Sequence, residues 1–428
     1  MGTLLLVSFI FLVIIGTPIA FVLTGTTLLS QYFGTANPVM TVTAQQMFVG
    51  CDVFALLAIP LFTLAGYLMD KGGLSKRLVN FLEKSCFWLP GGMGTITVLC
   101  CAIFAALTGS GPATVAGIGA IMYPALIKNH YNEDSAAGLL ACGGALGPII
   151  PPSICMIVYG TTMSVSVPAM FMAAIFPGLG MALALIVTNI IVTRRQGVHE
   201  NKTRASGKEI WESFKHAWGV LLLPIVVLGG IYGGVFTPTE ASAVAVVFSL
   251  VLGICYREIT FKNLIQAMYK TVETSAMVVI IVGFSALLSW ILSATGIPAQ
   301  IAAKVVPILG NKYVYWLVLL VILFVIGCLM ETVASMLILG PILVPIGIAL
   351  GIDKLHLAVV FCIALIVGMV TPPFGLNLFT SCATTGRTFT QVVHGMIPYL
   401  IAIMVVVIII AFVPGIALAL PNAVGLVW

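Results

Sequence analysis

Long apolar runs separated by short polar stretches dominate the chain. They cover roughly 3–30, 52–70, 135–160, 169–193, 219–236, 239–256, 272–293, 356–381 and 390–418. About 20 apolar residues cross a bilayer core as an α-helix, so the pattern predicts an all-α, polytopic membrane protein. Two further apolar stretches, about 92–127 and 313–350, are interrupted by Gly, Pro, Ser and Thr. Each is expected to be a re-entrant hairpin of two half-helices.

Composition sharpens this picture. Of 428 residues, 61% are apolar and 7% charged, against about a quarter charged in a soluble domain. A soluble globular protein, a disordered chain and a secreted disulfide scaffold are excluded. The longest polar stretch, Thr193 to Trp218, leaves no room for a nucleotide-binding domain, and no G-x-x-x-x-G-K-[ST] occurs. Direct use of ATP is not expected. The ten cysteines form no C-x-x-C, so neither a zinc site nor a redox pair is indicated. Leu4 to Leu29 is too long for a signal-peptide core and lacks a basic flank; it is expected to open the first span.

Charge gives the orientation. With the 194–218 loop on the cytoplasmic side, fifteen Lys and Arg between Lys71 and Arg387 share that side, and only Lys304, Lys312 and Lys354 face outward. By the positive-inside rule the fifteen are cytoplasmic. The N-terminus is then expected in the cytoplasm and the C-terminus in the periplasm. The net charge of +5 is explained by topology and needs no nucleic-acid partner.

Ala113 through Pro177 aligns without a gap on Ala334 through Pro398, at an offset of 221. Gly119 falls on Gly340, Pro124 on Pro345, Gly147 on Gly368, and Pro151-Pro152 on Pro372-Pro373. Gly73-Leu74 and Gly296-Ile297 fall close to register. Five expected spans separate the two hairpins. Five is odd, so the repeats run in opposite directions, which is the sequence pattern of a secondary transporter with its site near the midplane. The organisation expected is a first inverted repeat over 52–193 (broken helix about 135–160), a cytoplasmic loop over 194–218, connecting scaffold helices over 219–256, and a second inverted repeat over 272–418 (broken helix about 356–381).

The chemistry is expected where these elements break. The first hairpin has Thr108-Gly109-Ser110-Gly111-Pro112-Ala113-Thr114 at its middle, and the second has Met330-Glu331-Thr332-Val333-Ala334-Ser335. The facing spans break at Gly147 to Ser153 and at Gly368 to Asn377. Proline removes a helical N–H and frees carbonyls, and such backbone survives in a membrane only against protein or a water-filled cavity. Freed carbonyls with Ser or Thr hydroxyls suit a hard cation such as Na⁺; half-helix N-termini suit an anion. The simpler alternative at each break is a plain proline kink. Glu331 stands alone in an apolar region, a functional position by default, with a cation as its expected partner. A neutral, hydrogen-bonded carboxyl is the other reading. Asp52, Glu240 and Glu273 read as interfacial caps. His130, His199, His216, His356 and His394 show no ligand spacing, so no catalytic role is expected of them.

These residues carry a resemblance to the large membrane subunit of the tripartite ATP-independent periplasmic (TRAP) transporters, over essentially the whole chain. Its most specific pieces are Leu57-Ala58-Ile59-Pro60-Leu61-Phe62, Thr108 through Thr114, Gly147 through Ser153 and Thr371-Pro372-Pro373-Phe374-Gly375. The resemblance implies a sodium-coupled importer of organic acids in a bacterial inner membrane, working as an elevator. Carried onto this chain, it implies one sodium site at Thr108, Ser110, Gly147, Ile150 and Pro152, and a second at Glu331, Gly368, Thr371 and Phe374. It implies two partners, a small membrane subunit of about four helices and a soluble periplasmic substrate-binding protein. The chain looks most like sialic-acid members, although C4-dicarboxylate and other sugar-acid members share the motifs. Candidate substrate contacts are Thr114, Ser153, Ser335, Asn377 and Thr380, each of which could instead only cap a half-helix.

A stand-alone sodium/dicarboxylate carrier would share this architecture without needing a binding protein. An intramembrane serine hydrolase acting through Ser110 is a remote alternative, because no intramembrane His is placed as its base. A channel is disfavoured by the absence of a T-V-G-Y-G filter.

Overall fold

The computed structural model describes residues 2–34, 40–198 and 205–426. These residues fold into α-helices, with no strand among them. In chain order they are α1 (Gly2–Ile14), α2 (Ile19–Gly34), α3 (Met40–Cys51), a 3-10 turn (Phe54–Leu57), α4 (Ala58–Lys71), α5 (Leu74–Cys86), α6 (Gly92–Thr108) and α7 (Gly111–Lys128). There follow α8 (Glu133–Gly144), α9 (Ile154–Thr162), α10 (Val167–Arg195), α11 (Gly207–Tyr232), α12 (Pro238–Cys255), α13 (Phe261–Thr295) and α14 (Ile297–Leu309). The last six are α15 (Lys312–Leu329), α16 (Thr332–Ala349), α17 (Lys354–Gly368), α18 (Leu376–Thr385), α19 (Phe389–Phe412) and α20 (Pro414–Val424). Eight helical stretches among the described residues are long and apolar enough to cross a membrane.

Local chemistry sets the ends. Asn132 caps α8 by accepting from the N–H groups of Asp134 and Ser135, and Asp353 caps α17 by accepting from His356. Ser206 with Glu209 and Thr237 with Glu240 form capping boxes at α11 and α12, in which each side chain satisfies a free N–H of the other. Glu240 is thus a cap, as expected.

The 221-residue offset reappears in the helix bounds. α7 and α16 start and end 221 positions apart. α8 and α17 start at that offset, and α6 and α15 end at it. α5 and α14 are both 13 residues long, and each follows a glycine in the left-handed region, Gly73 or Gly296. Both expected hairpins are pairs of helices, α6–α7 and α15–α16. Both expected broken helices are interrupted, between α8 and α9 and between α17 and α18. Pro151-Pro152 and Pro372-Pro373 are both cis.

Several expected spans differ. The single span over 3–30 is two short helices, α1 and α2, packed on each other and broken at Gly16 (φ 81°) and Pro18. At 1.5 Å per residue, α1 is about 20 Å long, short of a ~30 Å bilayer core. The last run divides at Val413–Pro414 into α19 and α20. The polar 194–218 stretch is helical from Gly207 onward; its residues 199–204, with His199, Lys202 and Arg204, lie outside the described residues. α13 is 35 residues long, starting well before the expected 272.

The core surrounds the two broken helices. Every residue of α8 from Ser135 to Gly144, and of α17 from Leu355 to Gly368, is buried. α8 packs on α19, α7 and α18, while α17 packs on α15, α16 and α10. The α8–α19 seam is close because Gly138 and Gly395 present no side chain; a Cβ on either would collide with the backbone of the other helix. Ser381 donates to the carbonyl of Ala137 at 2.8 Å, and the hydroxyls of Ser135 and Tyr399 are 3.2 Å apart. Arg387, in the turn before α19, pairs with both Glu133 and Asp134. On the other side α4 packs on α12 and α13, and α5 on α11.

Candidate functional site: two hairpin tips on one cavity

The α6–α7 turn runs through Gly109, whose φ of 61° suits glycine. A Cβ there would come within 2.7 Å of the carbonyl oxygen of Pro152. One at Gly147 would come within 2.5 Å of the carbonyl oxygen of Ser110 and 2.9 Å of Thr114 Oγ1. The tip of the first hairpin therefore lies directly on the first break. Thr114 Oγ1 donates to the Ser110 carbonyl at 2.8 Å and is 3.2 Å from Thr108 Oγ1. The carbonyls of Gly147 and of residues 149–152 accept no hydrogen bond among the described residues. Thr108, Ser110, Gly147 and Pro152 are thus brought together in an oxygen-rich corner. Ile150 turns its side chain onto Gly178, so only its carbonyl is available.

The second set is less assembled. Glu331 is the N-cap of α16, its Oε2 accepting from the Ala334 N–H at 2.9 Å. Gly368 packs against the backbone of Gly327 on α15. Thr371 Oγ1 donates to the carbonyl of Val367 at 3.0 Å, and Phe374 is exposed. The carbonyls of residues 370–374 are free of protein hydrogen bonds among the described residues. Among the described residues no hydrogen bond joins Glu331 to Gly368, Thr371 or Phe374. These four residues flank one region without closing on a common point.

A cavity of about 250 Å³ separates the two tips. Ser110, Gly111 and Ala113 line it from the first hairpin; Glu331, Thr332 and Val333 line it from the second. Both α7 and α16 therefore present their N-terminal turns to one space. At α7 the free N–H groups and the helix dipole favour an anion, whereas at α16 the Glu331 carboxylate already accepts from the Ala334 N–H. Tyr67 of α4 and Thr274 of α13 form part of the opposite wall, with their hydroxyls 3.3 Å apart. Sequence reasoning missed this pair. Its only signal was a polar position within each apolar span, and the two lie far apart in the chain.

None of the five expected substrate contacts lines this cavity. Thr114 is held by the Ser110 carbonyl, as above. Ser153 caps α9, donating to the Pro148 carbonyl at 2.5 Å and accepting from the Met156 N–H. Ser335 donates to the Glu331 carbonyl and Thr380 to that of Leu376. These hydroxyls serve the backbone. Asn377 is different: it is fully buried against Gly111 and Gly144, and neither atom of its carboxamide has a hydrogen-bond partner among the described residues.

A family model described as "Tripartite ATP-independent periplasmic transporter, DctM component" matches residues 6–416. The C4-dicarboxylate TRAP transporter large permease protein DctM of Pseudomonas aeruginosa is 37% identical, with 90% of each chain covered. The sialic acid TRAP transporter large permease protein SiaM of Vibrio cholerae is 33% identical over 89% of each chain. The 2,3-diketo-L-gulonate TRAP transporter large permease protein YiaN of Escherichia coli is 35% identical over 87% of each. Sialic-acid members are therefore not favoured over the others. Among solved structures, the YdaH transporter of Alcanivorax borkumensis shares the fold, with a TM-score of 0.63, 15% identity and 87% of each chain covered. These relatives are named as transporters and permeases, not enzymes. The chain belongs to the DctM family of TRAP transporter large membrane subunits.

Proposed function

We propose that this chain imports an organic carboxylate across a bacterial inner membrane, driven by sodium. It would act with a small four-helix membrane subunit and a periplasmic binding protein. The observation that carries this reading is the cavity between two hairpin tips, each ending in a half-helix N-terminus, with the first oxygen cluster already gathered beside it. The substrate carboxylate sits at the N-terminus of α7, across the cavity from Glu331. One sodium ion takes the corner of Thr108, Ser110, Gly147, Ile150 and Pro152, where carbonyls and hydroxyls are the donors a hard cation prefers. A second takes Glu331 with the carbonyls of Gly368, Thr371 and Phe374, and its binding draws these groups together.

The matched helix bounds and the odd number of spans between the hairpins support an inverted-repeat arrangement. The hairpins, the broken helices, α10 and α19 form a moving body that slides as an elevator against α4, α5 and α11 to α13. The basic side remains cytoplasmic and the C-terminus periplasmic. With α1 and α2 forming a short pair, the N-terminus moves to the periplasmic side in this reading. Gly2 lies against Ile297 of α14, on the side of Lys304. The substrate class stays at organic carboxylate, because the relatives named for C4-dicarboxylates, sialic acid and diketogulonate are about equally similar.

Reconstitution tests the partner requirement. Proteoliposomes holding this chain and a cognate small subunit should take up labelled carboxylate only when the soluble binding protein is added outside. Full-rate uptake without that protein would instead identify a stand-alone carrier.

A further inference from the structure

A second cavity, of about 290 Å³, adjoins the first; both are lined by Tyr67, Ser110 and Thr274. It extends to the α4–α5 turn, among the basic residues assigned to the cytoplasm. One wall is a stripe on α4: Thr63, Gly66, Tyr67 and Asp70, at i, i+3, i+4 and i+7, which is one helix face. The facing wall on α7 is Ala113, Ala116, Gly117 and Ala120, at the same spacing and small throughout. These small residues leave room opposite the polar stripe, and Asp70 reaches across it: a Cβ at Gly117 would come within 3.3 Å of Asp70 Oδ1. Ser75 and Lys76 of α5 close the far end.

Two hydroxyls here lack a partner among the described residues. Thr63 and Ser75 are 7% and 3% exposed, yet neither hydroxyl has a hydrogen-bond partner. Buried hydroxyls are normally paired. Lys76 makes no ion pair among the described residues, and Asp70 has only Lys71, at 4.0 Å. One ammonium, one carboxylate and two hydroxyls without a partner among the described residues therefore line this cavity.

We propose that this cavity is a release-side subsite for a polyhydroxylated monocarboxylate, with Lys76 taking the carboxylate and Asp70 taking the hydroxyls. This subsite rests on the import reading above and narrows its substrate class. An ionised carboxylate only accepts hydrogen bonds, so Asp70 calls for O–H donors, which a sugar acid supplies. The second carboxylate of a C4-dicarboxylate would face Asp70 as a like charge, a repulsive element that discriminates against it. Thr63 and Ser75 pair with further hydroxyls.

The test is equilibrium binding to the purified complex of this chain and its small subunit, in sodium buffer. The probes are gluconate, glucuronate and sialate against succinate and fumarate. At least one polyhydroxylated acid should bind about tenfold or more tightly than either dicarboxylate, the value of one hydrogen bond to a charged group. Asp70→Asn should remove most of that preference while the complex stays monodisperse, Asp70→Glu should retain it, and Lys76→Gln should weaken every acid. Dicarboxylates binding as tightly as every hydroxylated acid, no binding of any hydroxylated acid, or a preference unchanged in Asp70→Asn would each overturn the subsite. Sodium-driven uptake of any carboxylate by the same preparation would leave the import reading standing in those cases.

Discussion

The carboxamide of Asn377 lies over the Cα of Gly111, so close that a Cβ there would come within 2.6 Å of Asn377 Oδ1. Asn377 opens the half-helix after the second break, and Gly111 opens the half-helix after the first hairpin tip. The two halves of the chain therefore meet at the point where the first hairpin turns. A movement at one break is felt directly at the other hairpin, since a packed interface has little room to yield.

Gly147→Ala probes the first oxygen cluster. The added methyl would sit 2.5 Å from the Ser110 carbonyl, well inside van der Waals contact. Overpacking of this kind costs about 1–3 kcal/mol, which as a coupling energy is roughly 5- to 150-fold in affinity. The sodium concentration for half-maximal uptake should rise within that range while the complex still assembles. An unchanged sodium dependence would show that the Gly147–Ser110 contact is packing alone.

Glu331→Gln separates charge from capping. Glutamine keeps an oxygen for the Ala334 N–H but loses the negative charge. Sodium affinity should fall about tenfold or more, as for loss of a contact to a charged group, with helicity unchanged. Sodium affinity equal to wild type would remove Glu331 from the second site.

Pro152→Ala restores an N–H at the first break. The new donor competes with Ser153 for nearby carbonyls and allows a helical turn to close over the oxygens that are now free. Sodium-driven uptake should drop strongly in a complex that still purifies intact. Wild-type uptake would reduce the break to a kink.

Arg387 joins α19 to α8 through Glu133 and Asp134. It lies outside the spans, and the hydrogen bond to Asp134 pushes its pKa up further, so the guanidinium stays charged at every working pH. Arg387→Gln should lower stability only slightly, because the cluster is partly solvated, and high salt should shrink the difference. A salt-independent loss would point to packing as the cause.

The features legible in the sequence were those written in glycine and proline. Thr108-Gly109-Ser110 and the doubled prolines mark breaks by backbone chemistry, and the breaks appear where those residues stand. The division of α1 from α2 was less legible, because a Gly and a Pro inside an apolar run read equally well as a kinked span. The hydroxyls of Thr114, Ser153, Ser335 and Thr380 lie outside the cavity lining because each hydrogen-bonds the backbone of its own helix or break. The Tyr67–Thr274 contact depends on how two distant spans pack, and no periodicity within either one encodes it.

Sodium coupling is tested most directly by the time course of labelled carboxylate uptake by the complete complex in proteoliposomes, under inward gradients of sodium, potassium or protons imposed one at a time. Concentrative uptake is expected with the sodium gradient and only equilibration with the other two. Concentrative uptake driven by protons, or uptake indifferent to all three gradients, would contradict sodium coupling.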